Sequence, residues 1–230
     1  MKPLVIVRPE PGASATAQAV RQLGLQPLVM PLFEILPLEW HPPGADGFDA
    51  LLFTSANAIR HGGRGLDALS SLPAHCVGEA TARAASDMGF EVASVGSGRV
   101  DSLLDSLPAE LRLLHLGGFH RREPNAPRQS IHVIPVYAAG ELAVPEGFRE
   151  VEDCVIAVHS PRSAARVGGL VDELGLRRGR IALAAISPEA AEAAGTGWEA
   201  ALPARTPDDS ALLAIAAELC KNPRRWSGRE

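Results

Sequence analysis

Aromatic side chains make up only 4% of this sequence, and Tyr137 is the single tyrosine among 230 residues. A core with so few rings has to be assembled from Ala, Leu, Val and Ile. Cysteine is scarce too. Cys76, Cys154 and Cys220 lie far apart with no Cys-x-x-Cys spacing, which argues against a disulfide framework or a zinc site and fits reduced thiols in a cytosolic protein. No apolar run approaches the roughly 20 residues that a membrane-spanning helix needs. The opening run Leu4–Val7 is too short for a signal peptide. The expectation is a cytoplasmic protein with no membrane partner. Basic charge is not in excess: 22 Lys and Arg face 27 Asp and Glu, a net charge of −5. Nucleic acid is therefore not an expected partner, and any anionic ligand must be attracted locally against the overall field.

Familiar catalytic signatures are missing as well. Gly96-Ser97-Gly98-Arg99-Val100-Asp101 lacks the third glycine of the dinucleotide fingerprint. There is no Walker A pattern and no G-x-S-x-G elbow. The seven histidines are scattered, and the nearest pair, His115 and His120, straddles Gly117-Gly118 away from any helix, a poor ligand spacing. Neither a metal nor a cofactor is expected.

What the sequence does contain is strand–helix alternation. Asp49-Ala-Leu-Leu-Phe-Thr-Ser-Ala-Asn57 is a short apolar run that ends in hydroxyls and an amide before a helix-compatible stretch. A buried parallel strand leaving the C-terminal edge of its sheet has this form. Cys154–Val158 followed by His159-Ser160-Pro161-Arg162-Ser163 repeats it. The remaining strands are expected at 4–7, 26–30, 75–77, 91–95, 112–116, 132–136, 181–186 and 198–202. Helices are expected at 15–23, with Ser14 as N-cap and Gly24 as stop, and at 80–88, 101–107, 163–174 and 208–220. Ser187-Pro188 opens a further helix, and Thr206-Pro207 the last one. The proline-spaced stretch 31–38 suits an extended connector better than a central strand.

The pattern repeats internally. Ser55 and Ser160 are 160 − 55 = 105 residues apart, Val77 and Ile186 are 186 − 77 = 109 apart, Asp101 and Asp209 are 209 − 101 = 108 apart, and Pro31 and Pro135 are 135 − 31 = 104 apart. Two similar α/β units with parallel sheets follow. The N-terminal β-α-β need not belong with what comes next and can instead complete the last third.

In open α/β sheets ligands lie beyond the carboxyl ends of the strands. Thr54, Ser55, Asn57, Thr81, Ser160, Ser163 and Ser187 fall there. Each has a plain reading as a helix cap, compatible with a second reading in which the free N–H groups of those helix starts bind an anion. Arg8, at the end of the first strand, is either a solvated charge or a carboxylate partner. Arg121-Arg122 is either a surface pair or a grip for acidic groups. Tyr137 follows a proline-bearing connector and is either packing with one hydrogen bond or a residue facing the space between domains.

Taken in order, Val7-Arg8-Pro9, Pro31-Leu32-Phe33-Glu34-Ile35, Phe53-Thr54-Ser55-Ala56-Asn57-Ala58, Val77-Gly78-Glu79-Ala80-Thr81-Ala82, Pro135-Val136-Tyr137, His159-Ser160-Pro161-Arg162-Ser163-Ala164 and Ala185-Ile186-Ser187-Pro188 resemble the uroporphyrinogen-III synthase family over nearly the whole chain. The segment 117–124 is only loosely like the family's Gly/Arg-rich turn. The resemblance implies two flavodoxin-like α/β domains joined by a two-stranded connector, residues 1–34 with 141–222 and residues 38–135, with 223–230 as a tail. It implies a monomer that needs no cofactor or metal. Its substrate is the linear tetrapyrrole hydroxymethylbilane, which loses water and closes to a macrocycle with the last ring inverted. Tyr137 becomes the expected proton donor to the departing hydroxyl, since a phenol is protonated at neutral pH. Arg8, Thr54, Ser55, Asn57, Thr81, Ser160, Ser163 and Ser187 become the expected substrate contacts. The competing reading is a non-enzymatic two-lobed sensor for a small anion.

Overall fold

The structure is a computed structural model, and it describes residues 1–222; the expected tail at 223–230 lies outside the described residues. The chain divides into two compact units. One comprises Met1–Glu34 and the chain from Glu141 onward, and the other comprises Ile35–Gly140.

The first unit begins with β1 (Leu4–Ile6), helix α1 (Gly12–Gln22) and β2 (Pro27–Val29). The expected boundaries are right within a few residues, but the cap is different. Helix α1 starts three residues early, and Ser14 lies inside it. The Glu10 carboxylate takes the capping role, accepting from the Ser14 N–H at 2.9 Å and from its hydroxyl at 2.8 Å. Gly24 ends the segment at φ +72°, in the left-handed region that only glycine enters freely.

The chain then passes through β3 (Phe33–Pro37) into the second unit. This unit contains β4 (Ala50–Phe53), α2 (Ala56–His61), β5 (Ala74–Cys76), α3 (Glu79–Asp87), β6 (Val92–Val95), α4 (Val100–Ser106), β7 (Arg112–Gly118) and β8 (Ser130–Glu141). The sheet order is β3-β8-β7-β4-β5-β6, so the proline-spaced β3 is an edge strand. Strand β8 carries Pro135 and is longer than the expected 132–136. It runs parallel to β7, with a register shift at Gly117/Gly118.

The first unit is completed by β9 (Val155–Val158), α5 (Pro161–Glu173), β10 (Ala182–Ala185), α6 (Pro188–Ala193), β11 (Ala200–Pro203) and α7 (Asp209–Lys221). Its sheet is parallel, in the order β11-β10-β9-β1-β2. Asp208, and not Thr206, caps α7: its carboxylate accepts from the Ala211 N–H at 2.8 Å.

Both sheets have the same plan. Reading β6-β5-β4-β7-β8 beside β11-β10-β9-β1-β2 matches every strand but the edge strand β3. The registers agree as well, since Leu4 faces Val155 and Pro27, while Leu113 and Leu114 face Ala50 and Leu51, and Leu113 faces Ile131. The core is aliphatic, as the shortage of aromatics requires. In the first unit α1 and α7 cover Leu4, Ile6, Val155 and Ala157, while Ile156 and Val158, also fully buried, alternate to the opposite face. In the second, Leu51, Phe53, Leu114 and Leu116 pack with Ala58 and Ile59 of α2, while Ala50, Leu52 and Leu113 pack with Leu103 and Leu104 of α4.

Besides β3, one helix has no counterpart. Between β1 and β2 stands the helix α1, whereas the β7–β8 crossover, residues 119–129, is a helix-free loop. It is strapped to α4: the Asn125 N–H donates to Asp101 at 2.8 Å, and the Gln129 amide donates to the Leu104, Leu107 and Pro108 carbonyls at the helix's far end.

Candidate functional site

In each unit the two central strands diverge into loops at their carboxyl ends, and the polar residues gather there. In the second unit the strands are β4 and β7. Residues 50, 52 and 54 share one face of β4, and 113, 115 and 117 share the same face of β7. Thr54 Oγ1 meets His115 Nε2 at 3.0 Å. His115 is 1% exposed, and its pKa is pushed down to about 4 by burial and by the Arg121 guanidinium. Its Nδ1 and the Arg121 Nε are buried without a hydrogen-bond partner. Arg121 also pairs with Glu123 at 2.6 Å.

The Gly117-Gly118 pair lets two rings approach the backbone. A Cβ at Gly117 would lie 2.9 Å from His115 Nε2, and one at Gly118 would lie 2.9–3.0 Å from Cε2, Cζ and Oη of Tyr137. The Tyr137 ring packs on the α2-side core and lies 6.4 Å from His61, centroid to centroid. Burial and the neighbouring Arg60 lower the His61 pKa.

Ser55 caps α2, accepting from the Asn57 N–H at 3.2 Å, and Asn57 accepts from Arg60 at 3.4 Å. Helix α3 starts at Gly78 with no side-chain cap. Thr81 is buried in its first turn, where it caps nothing.

In the first unit the corresponding strands are β1 and β9. Arg8 Nη1 donates to Asp209 at 2.7 Å and to Thr16 at 3.3 Å. The Arg8 guanidinium lies against Gly12 at the start of α1, where a Cβ would come within 2.5 Å of it. His159, mostly buried, has Nε2 3.6 Å from Asp209. Its pKa nevertheless falls to about 4, because burial and Arg8 outweigh a carboxylate that Arg8 already neutralises. Ser160 and Ser163 form a reciprocal capping box on α5, and Ser187 caps α6 through the Ala190 N–H. Arg162, in the first turn of α5, stacks 4.6 Å over the Phe33 ring.

The expected residues therefore separate into two sets. Thr54, Ser55, Asn57, Thr81 and Tyr137 lie in the second unit, and Arg8, Ser160, Ser163 and Ser187 in the first. Ser55, Ser160 and Ser187 are caps, as their plain reading held. The sequence reading passed over His115, Gly117, Gly118, Asp209 and His61 as site residues. The Gly-Gly pair and the Asp101/Asp209 echo were visible signals for three of these positions; nothing in a single sequence marks the other two. Among the described residues no group of three or more His, Cys, Asp or Glu side chains is placed to hold a metal ion. No helix of the described residues is long and apolar enough to cross a membrane.

Two parallel-dominated sheets of matching plan, each with polar residues at the carboxyl ends of its strands, define a duplicated α/β protein. The family model described as Uroporphyrinogen-III synthase HemD matches residues 14–214, and the chain belongs to the uroporphyrinogen-III synthase family, the cyclising hydro-lyases of tetrapyrrole biosynthesis. Solved structures agree on the fold. The uroporphyrinogen-III synthetase of Helicobacter pylori is 19% identical, with a TM-score of 0.63, covering 95% of this chain and 100% of its own. A mutant uroporphyrinogen III synthase of Thermus thermophilus is also 19% identical, with a TM-score of 0.52, covering 95% and 99%. No curated protein matches by sequence.

Proposed function

We propose that the strand-tip residues hold the carboxylates of hydroxymethylbilane while Tyr137 protonates its departing hydroxyl. The pyrrole nitrogen next to the hydroxymethyl carbon supplies the electron pair that expels the hydroxyl. The hydroxyl leaves as water, carrying the tyrosine's proton. The substituted carbon of the last ring then attacks the resulting azafulvene, giving a spiro intermediate. Its opening breaks that ring's bond to the neighbouring methylene and leaves a second azafulvene there, and the ring's free α-carbon attacks this methylene to close the macrocycle with the ring inverted. The phenolate recovers a proton when the final pyrrole carbon loses one. No enzyme nucleophile enters this sequence, so most of the catalysis is positioning.

The observation that carries the reading is the Gly118–Tyr137 contact at the end of β7, which sets the only phenol of the chain beside an unencumbered backbone. The substrate carboxylates go to N–H groups at the starts of α3 and α5, with Arg8, Thr54, Ser55, Asn57, Thr81, Ser160, Ser163 and Ser187 as contacts. This local arrangement suits a protein whose net charge is −5. The enzyme acts as a cytoplasmic monomer on a small-molecule substrate alone, without nucleic acid, membrane, cofactor or metal.

The test is to supply hydroxymethylbilane and identify the porphyrinogen isomer. Wild type yields the inverted isomer. Tyr137→Phe, folded normally, loses about 10²-fold in kcat/KM, the scale of one proton-transfer group. Full activity in that variant removes Tyr137 from the mechanism. Binding of the bilane without turnover by wild type identifies a sensor instead of an enzyme.

A further inference from the structure

The Thr54–His115 pair carries more than packing. A neutral imidazole has one N–H and one bare nitrogen, and His115, buried and beside the cationic Arg121, is the neutral form. Two arrangements satisfy the 3.0 Å contact. In one, the proton sits on Nδ1 and Thr54 donates to Nε2. A buried N–H donor is then left at Nδ1, where no partner exists among the described residues. In the other, Nε2–H donates to Thr54 Oγ1 and only a lone pair is left at Nδ1. Orphaned buried donors are rarer than under-satisfied acceptors, so the second arrangement wins. Its consequence falls on Thr54. The hydroxyl oxygen is occupied as an acceptor, and its proton must point away from His115. Thr54 is half-buried at the tip of β4, so that proton goes to whatever occupies the strand edge. Gly117 keeps the arrangement possible, since any Cβ there would press on Nε2 from 2.9 Å.

The geometry assigns His115 as a positioning residue that commits the Thr54 hydroxyl to donate to a substrate carboxylate at the carboxyl end of β4. This rests on the reading that the strand tips bind the carboxylate-bearing linear tetrapyrrole.

The first test needs no substrate. Nitrogen-15 NMR of the labelled protein at pH 7 is expected to show the His115 ring protonated at Nε2, with the resonance identified by its loss in His115→Gln. A proton on Nδ1 overturns the assignment.

The second test uses hydroxymethylbilane. Thr54→Val and His115→Phe each raise KM by about tenfold with kcat within about twofold, as loss of a hydrogen bond to a charged ligand would do. Thr54→Ser and His115→Gln, which keep an acceptor hydroxyl and a donor N–H, restore KM to within about threefold of wild type. The double variant Thr54→Val/His115→Phe is no worse than the poorer single one, because the two act as one unit. Additive losses, or Thr54→Val with an unchanged KM, overturn the proposal even where His115→Phe fails to fold. Wild type that shows the Nε2 tautomer but neither binds nor converts the bilane refutes the substrate reading and leaves the hydrogen-bond arrangement standing.

Discussion

At the level of single residues, the Thr54–His115 contact depends on two side chains of opposite kinds, a hydroxyl at a strand end and an imidazole buried within the sheet. Hydroxyls at strand ends are visible in a sequence because they interrupt an apolar run, and Thr54, Ser55 and Ser160 stood out that way. His115 did not, because its role depends on facing Thr54 across β4 and β7, sixty-one residues apart in the chain. Burial of His115 and His159 has a consequence for acid stability. Each titrates near 6.5 in the unfolded chain and near 4 in the folded one. Between those values the unfolded chain binds more protons, so stability is full above 6.5, falls as pH drops toward 4, and levels off below. Each imidazole contributes at most about 2 kcal/mol of loss between pH 6.5 and 5. Asp49 and Glu152 act lower. Hydrogen bonds from Arg112 and Arg177 hold them at about 2, so their contribution is complete above the ordinary carboxylate range and is lost as pH falls from there through 2. Urea midpoints measured at pH 7.5 and 5.0 therefore report the histidines, with His61 and His75, whose pKa values burial also lowers, adding to His115 and His159. The midpoint is expected to drop on acidification, and His159→Gln is expected to remove a substantial part of the drop. An unchanged midpoint in wild type contradicts the burial of both rings.

At the level of elements, strands and helix stops were readable because their signals are local. Apolar runs of three or four residues mark the strands, and Gly24, Gly89, Gly175 and Gly195 end their helices at positive φ. The differences fall where another neighbour supplies the partner. Helix α1 is held from outside by Glu10, and α7 is capped by Asp208, two residues beyond Thr206. The β7–β8 crossover shows no helical period. Its course is fixed by Asn125, Arg128 and Gln129 reaching α4, contacts that a sequence does not display. Caps with two reciprocal bonds should matter most. Ser160→Ala removes one side of the capping box on α5 and is expected to cost about 1 kcal/mol of stability. Ser14→Ala leaves the backbone bond from residue 14 to Glu10 in place and is expected to cost less than half of that. Denaturant unfolding of the two variants side by side settles the order; a larger loss for Ser14→Ala would mean that the Ser14 hydroxyl, more than its N–H, ties Glu10 to the start of α1.

At the level of the whole molecule, the chain is a tandem duplication whose halves are exchanged. The offsets of 104 to 109 residues pair β1, β2, β4, β5 and β6 with β7, β8, β9, β10 and β11 in chain order. The sheets, however, combine β1 and β2 with β9–β11, and β7 and β8 with β4–β6. Each compact unit therefore joins the two opening strands of one repeat to the three closing strands of the other, with β3 as an addition at the edge of the second sheet. The sequence showed that repeats exist, and the connector prolines hinted at the exchange; only the pairing of β1 with β9 and of β7 with β4 fixes it. A division by repeat and a division by unit then predict different folding fragments. A cut near residue 110 leaves each half without the strand that stands beside β4 or β9, exposing on both a central parallel edge that needs cover. The fragment 35–140 holds both cores and every strand of its sheet, short only of the first two residues of β3 and the last of β8. The other unit can be made continuous as well, since the Leu142 N–H donates to the Leu32 carbonyl at 3.0 Å and a two-residue turn after Glu34 can lead directly into Glu141. Both unit fragments are expected to unfold cooperatively in urea with native-like circular dichroism, whereas 1–110 and 111–222 expressed separately are expected to lack a cooperative transition. Recovery of cooperative unfolding when those two halves are mixed would show the exchanged pairing directly, and cooperative folding of either half alone would refute it.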